Sequence, residues 1–147
     1  MKSRNFQQLR GNDLGTGSLG TCDPIISMSD LGDSIPKVAL DGTTLLGSDP
    51  AFPCGLIAKY YFTDRYSLAT TAAPTVPIVI DEKNIAHEVD KDYKFKMPDN
   101  GRSKAWLNVE DEHVMVWFQM ESFPTFIKLW GHIWTTLKAG VSYTITV

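Results

Sequence analysis

The sequence predicts a mainly β fold, an antiparallel sandwich-like domain with a few short helices and one long loop that a cysteine pair would tether. Three observations carry that expectation. Residues 1–53 are loop-rich, with glycine, serine, aspartate and proline set between isolated aliphatics. Residues 54–147 hold several short β-branched or alternating runs and read as a β-rich core. The order strand, short helix, strand near the C-terminus favours antiparallel packing.

The elements follow in chain order. Gly11 to Gly20 is dominated by residues that cost the most entropy to order and offer little to bury, so it reads as a loop. Between Asp23 and Pro53 only Lys37–Leu40 and Thr43–Leu46 have the character of short strands. Val76–Ile80 is β-branched and edge-like, because Pro77 cannot donate to a ladder. Tyr93, Phe95 and Met97 alternate with Lys94 and Lys96 at the period of a half-buried strand. His113–Met120 places Val114, Val116, Phe118 and Met120 on one face and Met115 and Trp117 on the other, the pattern of a central strand. Phe126, Leu129, Trp130, Ile133 and Trp134 form the stripe of an amphipathic helix, with Pro124 near its start. Ser142–Val147 alternates again and predicts the last strand.

Composition sets the class. A chain of 147 residues with 43% hydrophobic and 21% charged side chains fits one folded domain. With 14 basic and 17 acidic residues its net charge is −3, which gives no field to gather nucleic acid. No apolar run approaches the roughly 18–20 residues that span a bilayer, and the start, Met1-Lys2-Ser3-Arg4-Asn5, does not lead into a signal-peptide core. An extracytosolic reading of this chain therefore carries the expectation of a fragment.

Cys22 and Cys54 admit two readings, free thiols or a bridge. Both lie in turn-forming sequence, Thr21-Cys22-Asp23-Pro24 and Phe52-Pro53-Cys54-Gly55, which favours the bridge. On the chain-entropy model a bridge would stabilise the fold by about 3–4 kcal/mol. His87, His113 and His132 are scattered without metal-ligand spacing, so neither metal nor cofactor is expected.

The search for catalytic chemistry finds no enzyme. Asp111-Glu112-His113 is the most tempting cluster, yet residues entering a strand point to alternate faces, so a solvated turn is expected there. Asp81-Glu82-Lys83-Asn84 reads as a mixed-charge turn, no nucleophile elbow accompanies the serines, and Gly11, Gly15, Gly17 and Gly20 match no phosphate-binding spacing. Trp106, Trp117, Trp130 and Trp134 crowd with Phe118, Phe123 and Phe126 into one stretch. Trp117 and Phe126 read as core, whereas Trp134 divides evenly between core and contact surface.

Several runs resemble a known family. Pro53-Cys54-Gly55-Leu56-Ile57-Ala58 with Tyr61-Phe62-Thr63-Asp64, and Glu112-His113-Val114-Met115-Val116-Trp117-Phe118 with Phe123-Pro124-Thr125-Phe126-Ile127-Lys128-Leu129-Trp130-Gly131, are similar to the exoplasmic domain of the ligand-effect modulator 3 / cell division control protein 50 family. Modest matches extend the likeness along the chain: Lys2-Ser3-Arg4 with Gln8-Leu9-Arg10-Gly11, Thr21-Cys22-Asp23-Pro24, and Ala139-Gly140 before Tyr143.

The resemblance implies a non-catalytic beta subunit of a type IV P-type ATPase that moves phospholipid. It implies a single luminal or extracellular domain over residues 1–147, carried between membrane helices outside this chain, in the endoplasmic reticulum, Golgi or plasma membrane. The ATPase alpha subunit is the implied partner, with support for its exit from the endoplasmic reticulum and for its transport cycle. By position, the resemblance pairs Cys22 with Cys54 and offers Trp117, Gln119, Phe123, Pro124, Phe126, Trp130 and Trp134 as partner-binding residues. Three departures stand out: Thr63-Asp64-Arg65 replaces a glycosylation sequon, and Gln119 and Ile127 replace arginines common in the family. The competing reading is a secreted β-sandwich that binds carbohydrate through exposed tryptophans, with a hydrolase third.

Overall fold

A computed structural model describes residues 3–121 and 125–147. The N-terminal segment opens with helix α1, Phe6–Leu9, capped by Asn5, whose side chain accepts from the Gln8 amide at 3.0 Å. Loops and short 3-10 turns follow, as the glycine-rich sequence predicts, and a disulfide joins Cys22 to Cys54 across a Cα separation of 5.6 Å. Helix α2, Leu56–Lys59, leads to an antiparallel hairpin of β1, Ser67–Thr70, and β2, Ala73–Ile78. Helix α3, Glu112–Phe118, and strand β3, Tyr143–Thr146, complete the elements. β1 lies at the centre of a three-stranded antiparallel sheet, in the order β2-β1-β3, with Leu68 opposite both Ile78 and Ile145.

The core forms two clusters joined beside the disulfide. One draws Leu9, Phe52, Ile57, Phe95, Val114, Met115 and Phe118 from both halves of the chain. The other packs Leu19, Ile25, Met28 and Leu31 around the buried Cys22 and Cys54. Trp106 packs against both clusters and donates its indole N–H to the Pro53 carbonyl at 2.9 Å. The long first-half excursion is thus held by a small core of its own as well as by the bridge.

Four expectations need correction. The architecture is mixed: among the described residues there is one sheet and no second sheet to face it, so the sandwich is not formed. His113–Met120 is helical over Glu112–Phe118 instead of a strand. A short run that is apolar on every side reads equally as a buried strand or a buried helix, and capping decides for the helix. Tyr93 lies in a single π-helical turn, Asp90–Lys94, closed by the Phe95 amide on the Asp90 carbonyl at 3.0 Å, and only Arg10 and Lys96 make a bridge nearby.

The expected helix over Phe126–Trp134 is absent. It has no regular secondary structure and instead bonds to another segment: the amides of His132 and Asp81 donate to each other's carbonyl oxygens at 2.8 Å. Gly131 lies so close to Ile80 that a Cβ would meet its Cγ2 at 2.6 Å. The strand expected over Val76–Ile80 is present over Ala73–Ile78, and Ser142–Val147 forms β3 over Tyr143–Thr146. Lys37–Leu40 and Thr43–Leu46 make one isolated bridge, Val38 with Thr44.

Candidate functional site

The aromatic residues singled out above converge where α3 meets the segment after it. His113 and Trp117 stand four residues apart on α3 and so project from one helix face. Together with Tyr61, Phe62, Tyr66 and Trp130 they line a cleft of about 270 Å³. Phe62 is the hub: its ring stacks on Trp117 at a centroid distance of 6.3 Å and meets the edge of Trp130, also at 6.3 Å. Tyr66 approaches Trp130 edge-on at 4.8 Å, and the His113 ring lies 4.1 Å from Trp130. Contacts of this kind add directional energy to apolar burial and hold the rings in a fixed arrangement.

Polar groups in this cleft have separate tasks. The Trp117 indole N–H donates to the Ile57 carbonyl at 2.7 Å, tying α3 to α2. The Trp130 indole nitrogen is buried without a hydrogen-bond partner among the described residues. Burial pushes the Tyr61 hydroxyl above its ordinary pKa, and the negative charge of Asp111 adds to that. His113 Nε2 lies 2.9 Å from Glu82.

The Asp111-Glu112-His113 cluster begins a helix, not the solvated turn expected before a strand. Asp111 accepts from the His113 amide at 2.8 Å as the N-cap. Glu112 accepts from the amides of Asn84 and Ala86 at 3.1 and 2.9 Å. The three side chains therefore serve three different partners and do not converge on one reacting atom. Among the described residues no group of three or more His, Cys, Asp or Glu is placed to hold a metal ion.

The partner-binding candidates separate in space. Trp117 and Trp130 are half-buried and shape the cleft. Phe126 also lines the cleft but is 49% exposed, so the expectation that it belongs to the core is corrected. Trp134 is 77% exposed, stacks on His132 and donates to Asp81 at 3.1 Å. Gln119 lies elsewhere, in a groove of about 510 Å³ with Arg4, Arg10 and Lys94. Phe123 and Pro124 lie outside the described residues.

Sequence reasoning missed Tyr61, Phe62 and Tyr66 as cleft residues. Their spacing in Tyr60-Tyr61-Phe62-Thr63-Asp64-Arg65-Tyr66 was the available signal, an aromatic cluster before a strand. The carbohydrate reading asked for a face of exposed tryptophans, whereas Trp106 and Trp117 are half-buried with their N–H groups bonded to backbone.

Among the described residues no helix is long and apolar enough to cross a membrane. The model of the LEM3 (ligand-effect modulator 3) / CDC50 family matches residues 1–147. ALA-interacting subunit 3 of Arabidopsis thaliana is 34% identical over 108 residues, 65% of this chain and 30% of that protein. Putative ALA-interacting subunit 4 of the same plant is 31% identical over 108 residues, again 65% of this chain and 31% of that protein. Cell cycle control protein 50A of Rattus norvegicus is 30% identical over 129 residues, covering 64% of this chain and 39% of the relative. The matched stretch thus spans between 30% and 39% of the length of these curated relatives. With the family model matched from the first residue to the last, the chain belongs to the ligand-effect modulator 3 / CDC50 family.

Proposed function

We propose that this chain is the exoplasmic domain of a non-catalytic beta subunit of a type IV P-type ATPase, a pump that moves phospholipid between leaflets. The observation that carries the reading is the family match over residues 1–147, supported by relatives whose names describe them as ALA-interacting subunits. Aromatic packing around Phe62 and the exposed apolar side chains beyond it are compatible with a domain that binds a partner. Such a domain acts by binding. It lies on the luminal or extracellular side, covers extracytosolic loops of the ATPase, and shifts its conformational equilibrium by contacting some states better than others. Through the same contacts it supports exit of the pump from the endoplasmic reticulum and the transport cycle that follows.

The test is co-expression of the full-length protein with type IV ATPases of the same organism in cells lacking their own beta subunits. A specific ATPase should co-purify, leave the endoplasmic reticulum and transport fluorescent phospholipid only when this protein is present. Unchanged ATPase trafficking and transport in its absence would sink the reading.

A further inference from the structure

Both ends of α1 are tied to other elements, and the ties place two arginines on one groove. Arg4, next to the N-cap Asn5, donates to the Phe118 carbonyl at the end of α3 at 2.7 Å, and its guanidinium lies 4.4 Å from the centre of the Phe6 ring. Arg10, the C-cap, follows Leu9, whose carbonyl accepts from the Lys96 amide at 2.8 Å and so holds the end of α1 beside the turn that carries Lys94. Between these elements runs a groove of about 510 Å³ that Arg4, Arg10, Phe6 and Met120 line together.

The other charges on this groove cancel in pairs. Asp90 is 4% exposed and accepts from the Lys94 ammonium at 2.6 Å, while Glu121 lies 3.7 Å from Lys128. Arg4 and Arg10 make no ion pair among the described residues, so two uncompensated guanidinium charges share one concavity on a chain whose net charge is −3. His87, the remaining titratable group on the wall, is exposed. Burial pulls the Arg4 pKa below its ordinary value: this cation has given up part of its hydration, and an anion would replace what it lost. Phe6 and Met120, 55% and 71% exposed, add an apolar rim.

We infer that this groove is the binding site of a phosphate monoester, its oxygens held by Arg4 and Arg10 and its organic group lying over Phe6 and Met120. Charge selects that class: a monoester carries about 1.5–2 negative charges at neutral pH, which two guanidinium groups balance, whereas a carboxylate or a phosphodiester carries a single charge. A guanidinium fork also meets phosphoryl oxygens two at a time. Arg4 is already held by Phe118 and Phe6, so it loses less freedom on binding than a mobile side chain would. The site is independent of the beta-subunit reading. A soluble ester and a monoester lipid such as phosphatidic acid offer the same phosphate group, and the experiment separates them.

The full-length protein is titrated by calorimetry with hexyl phosphate, inorganic phosphate and hexanoate, and floated on phosphatidylcholine vesicles with and without phosphatidic acid. Three variants are compared with the wild type. Arg10→Gln removes a charge from the groove, Arg4→Lys keeps a charge and a donor but loses the fork, and Lys138→Gln removes a charge from outside the groove. Urea unfolding and the Cys22–Cys54 bridge are checked in each, so that a fold defect is recognised. Expected is saturable binding of hexyl phosphate, weaker binding of inorganic phosphate and none of hexanoate. Affinity should be about tenfold lower in Arg10→Gln and Arg4→Lys, unchanged in Lys138→Gln, and lower as salt rises. Flotation that needs both phosphatidic acid and the two arginines assigns the ester to lipid; hexyl phosphate binding without such flotation assigns it to a soluble ester, and either result supports the site. Absence of saturable binding in the wild type, or equal binding in the wild type, Arg10→Gln and Arg4→Lys, overturns the proposal. Hexanoate bound as tightly as hexyl phosphate assigns the groove to carboxylates, those of a polypeptide included, and overturns it as well.

Discussion

The Lys128 ammonium donates to the Val116 carbonyl at 2.7 Å, from a segment that follows α3 and turns back along it. The same nitrogen reaches the Gln119 carbonyl at 2.8 Å, and Arg4 donates to the Phe118 carbonyl at 2.7 Å. Two cations thus satisfy carbonyls at the negative end of a helix whose positive end is capped by Asp111. Helix α3 has seven residues, too few to persist alone, and it contains two valines. Tertiary capping and burial hold it.

Replacing Lys128 by Met keeps the apolar stem and removes the donor, which should lower stability by about 1–2 kcal/mol. Arg4→Met should cost about the same, because it leaves the Phe118 carbonyl unserved. Urea unfolding measures both. A midpoint unchanged in each variant would mean that core packing alone holds the helix.

Glu112 should make stability depend on acid pH. Burial pushes its carboxyl pKa up, but the amides of Ala86 and Asn84 and the charge of Lys91 outweigh that, so the net shift is downward. A depressed folded pKa gives stability that is present above the unfolded value, about 4.3, and lost as pH falls through the folded one. Glu112→Gln removes this titration and one acceptor for an amide. At pH 7 it should cost about 1–2 kcal/mol, and its stability should fall less than the wild type's between pH 5 and 3 by the order of one proton's linkage. Parallel pH profiles for the two proteins would contradict the assignment.

The pattern of success in reading the sequence follows from where each element gets its stability. β3 was legible because Tyr143, Ile145 and Val147 alternate with polar residues, a local signal. The bridge was legible from two cysteines set in turns. Residues 113–118 were not, because Val114, Met115, Val116 and Phe118 are all buried and no polar face reveals the period. The N-cap Asp111 stands beside the run and reads equally as a turn residue, while the carbonyls at the other end are served by Lys128 and by the distant Arg4. Phe126–Trp134 failed in the opposite sense: a convincing helical stripe is overridden by pairing of His132 with Asp81, 51 positions earlier, and most of the stripe stays exposed. The cleft was half legible, since its tryptophans were singled out and its tyrosines were not.

Gln8 gave no signal in the sequence, yet it is buried at the junction of the two cores. Its amide nitrogen donates to the Ala51 carbonyl at 2.8 Å, and its oxygen accepts from the Cys54 amide at 2.9 Å. Gln8→Leu would leave both backbone groups buried without partners, at about 1–3 kcal/mol each. The expected outcome is a loss of about 2–5 kcal/mol by denaturant unfolding, with faster hydrogen exchange at the Cys54 amide. Wild-type exchange at that amide would show that another acceptor serves it.

Gly131 tests whether the segment after α3 is held on the sheet side by close approach. A Cβ there would meet Ile80 Cγ2 at 2.6 Å and the Asp81 carbonyl at 3.0 Å, both on the chain that pairs with His132. Gly140 is the contrast, with a positive φ of 78° and open space around it. Gly140→Ala should cost only the backbone strain, about 1 kcal/mol. Gly131→Ala should cost more, about 2–3 kcal/mol, because one of two packed backbones must move. Removing the obstacle with Ile80→Ala should recover part of that loss, since the methyl at 2.6 Å disappears while the carbonyl at 3.0 Å remains. A double-mutant cycle reads this as a favourable coupling, and hydrogen exchange at the Asp81 and His132 amides reports whether their pairing returns. Strictly additive energies, with both amides protected in Gly131→Ala, would mean that the segment is anchored elsewhere and that the close approach is incidental.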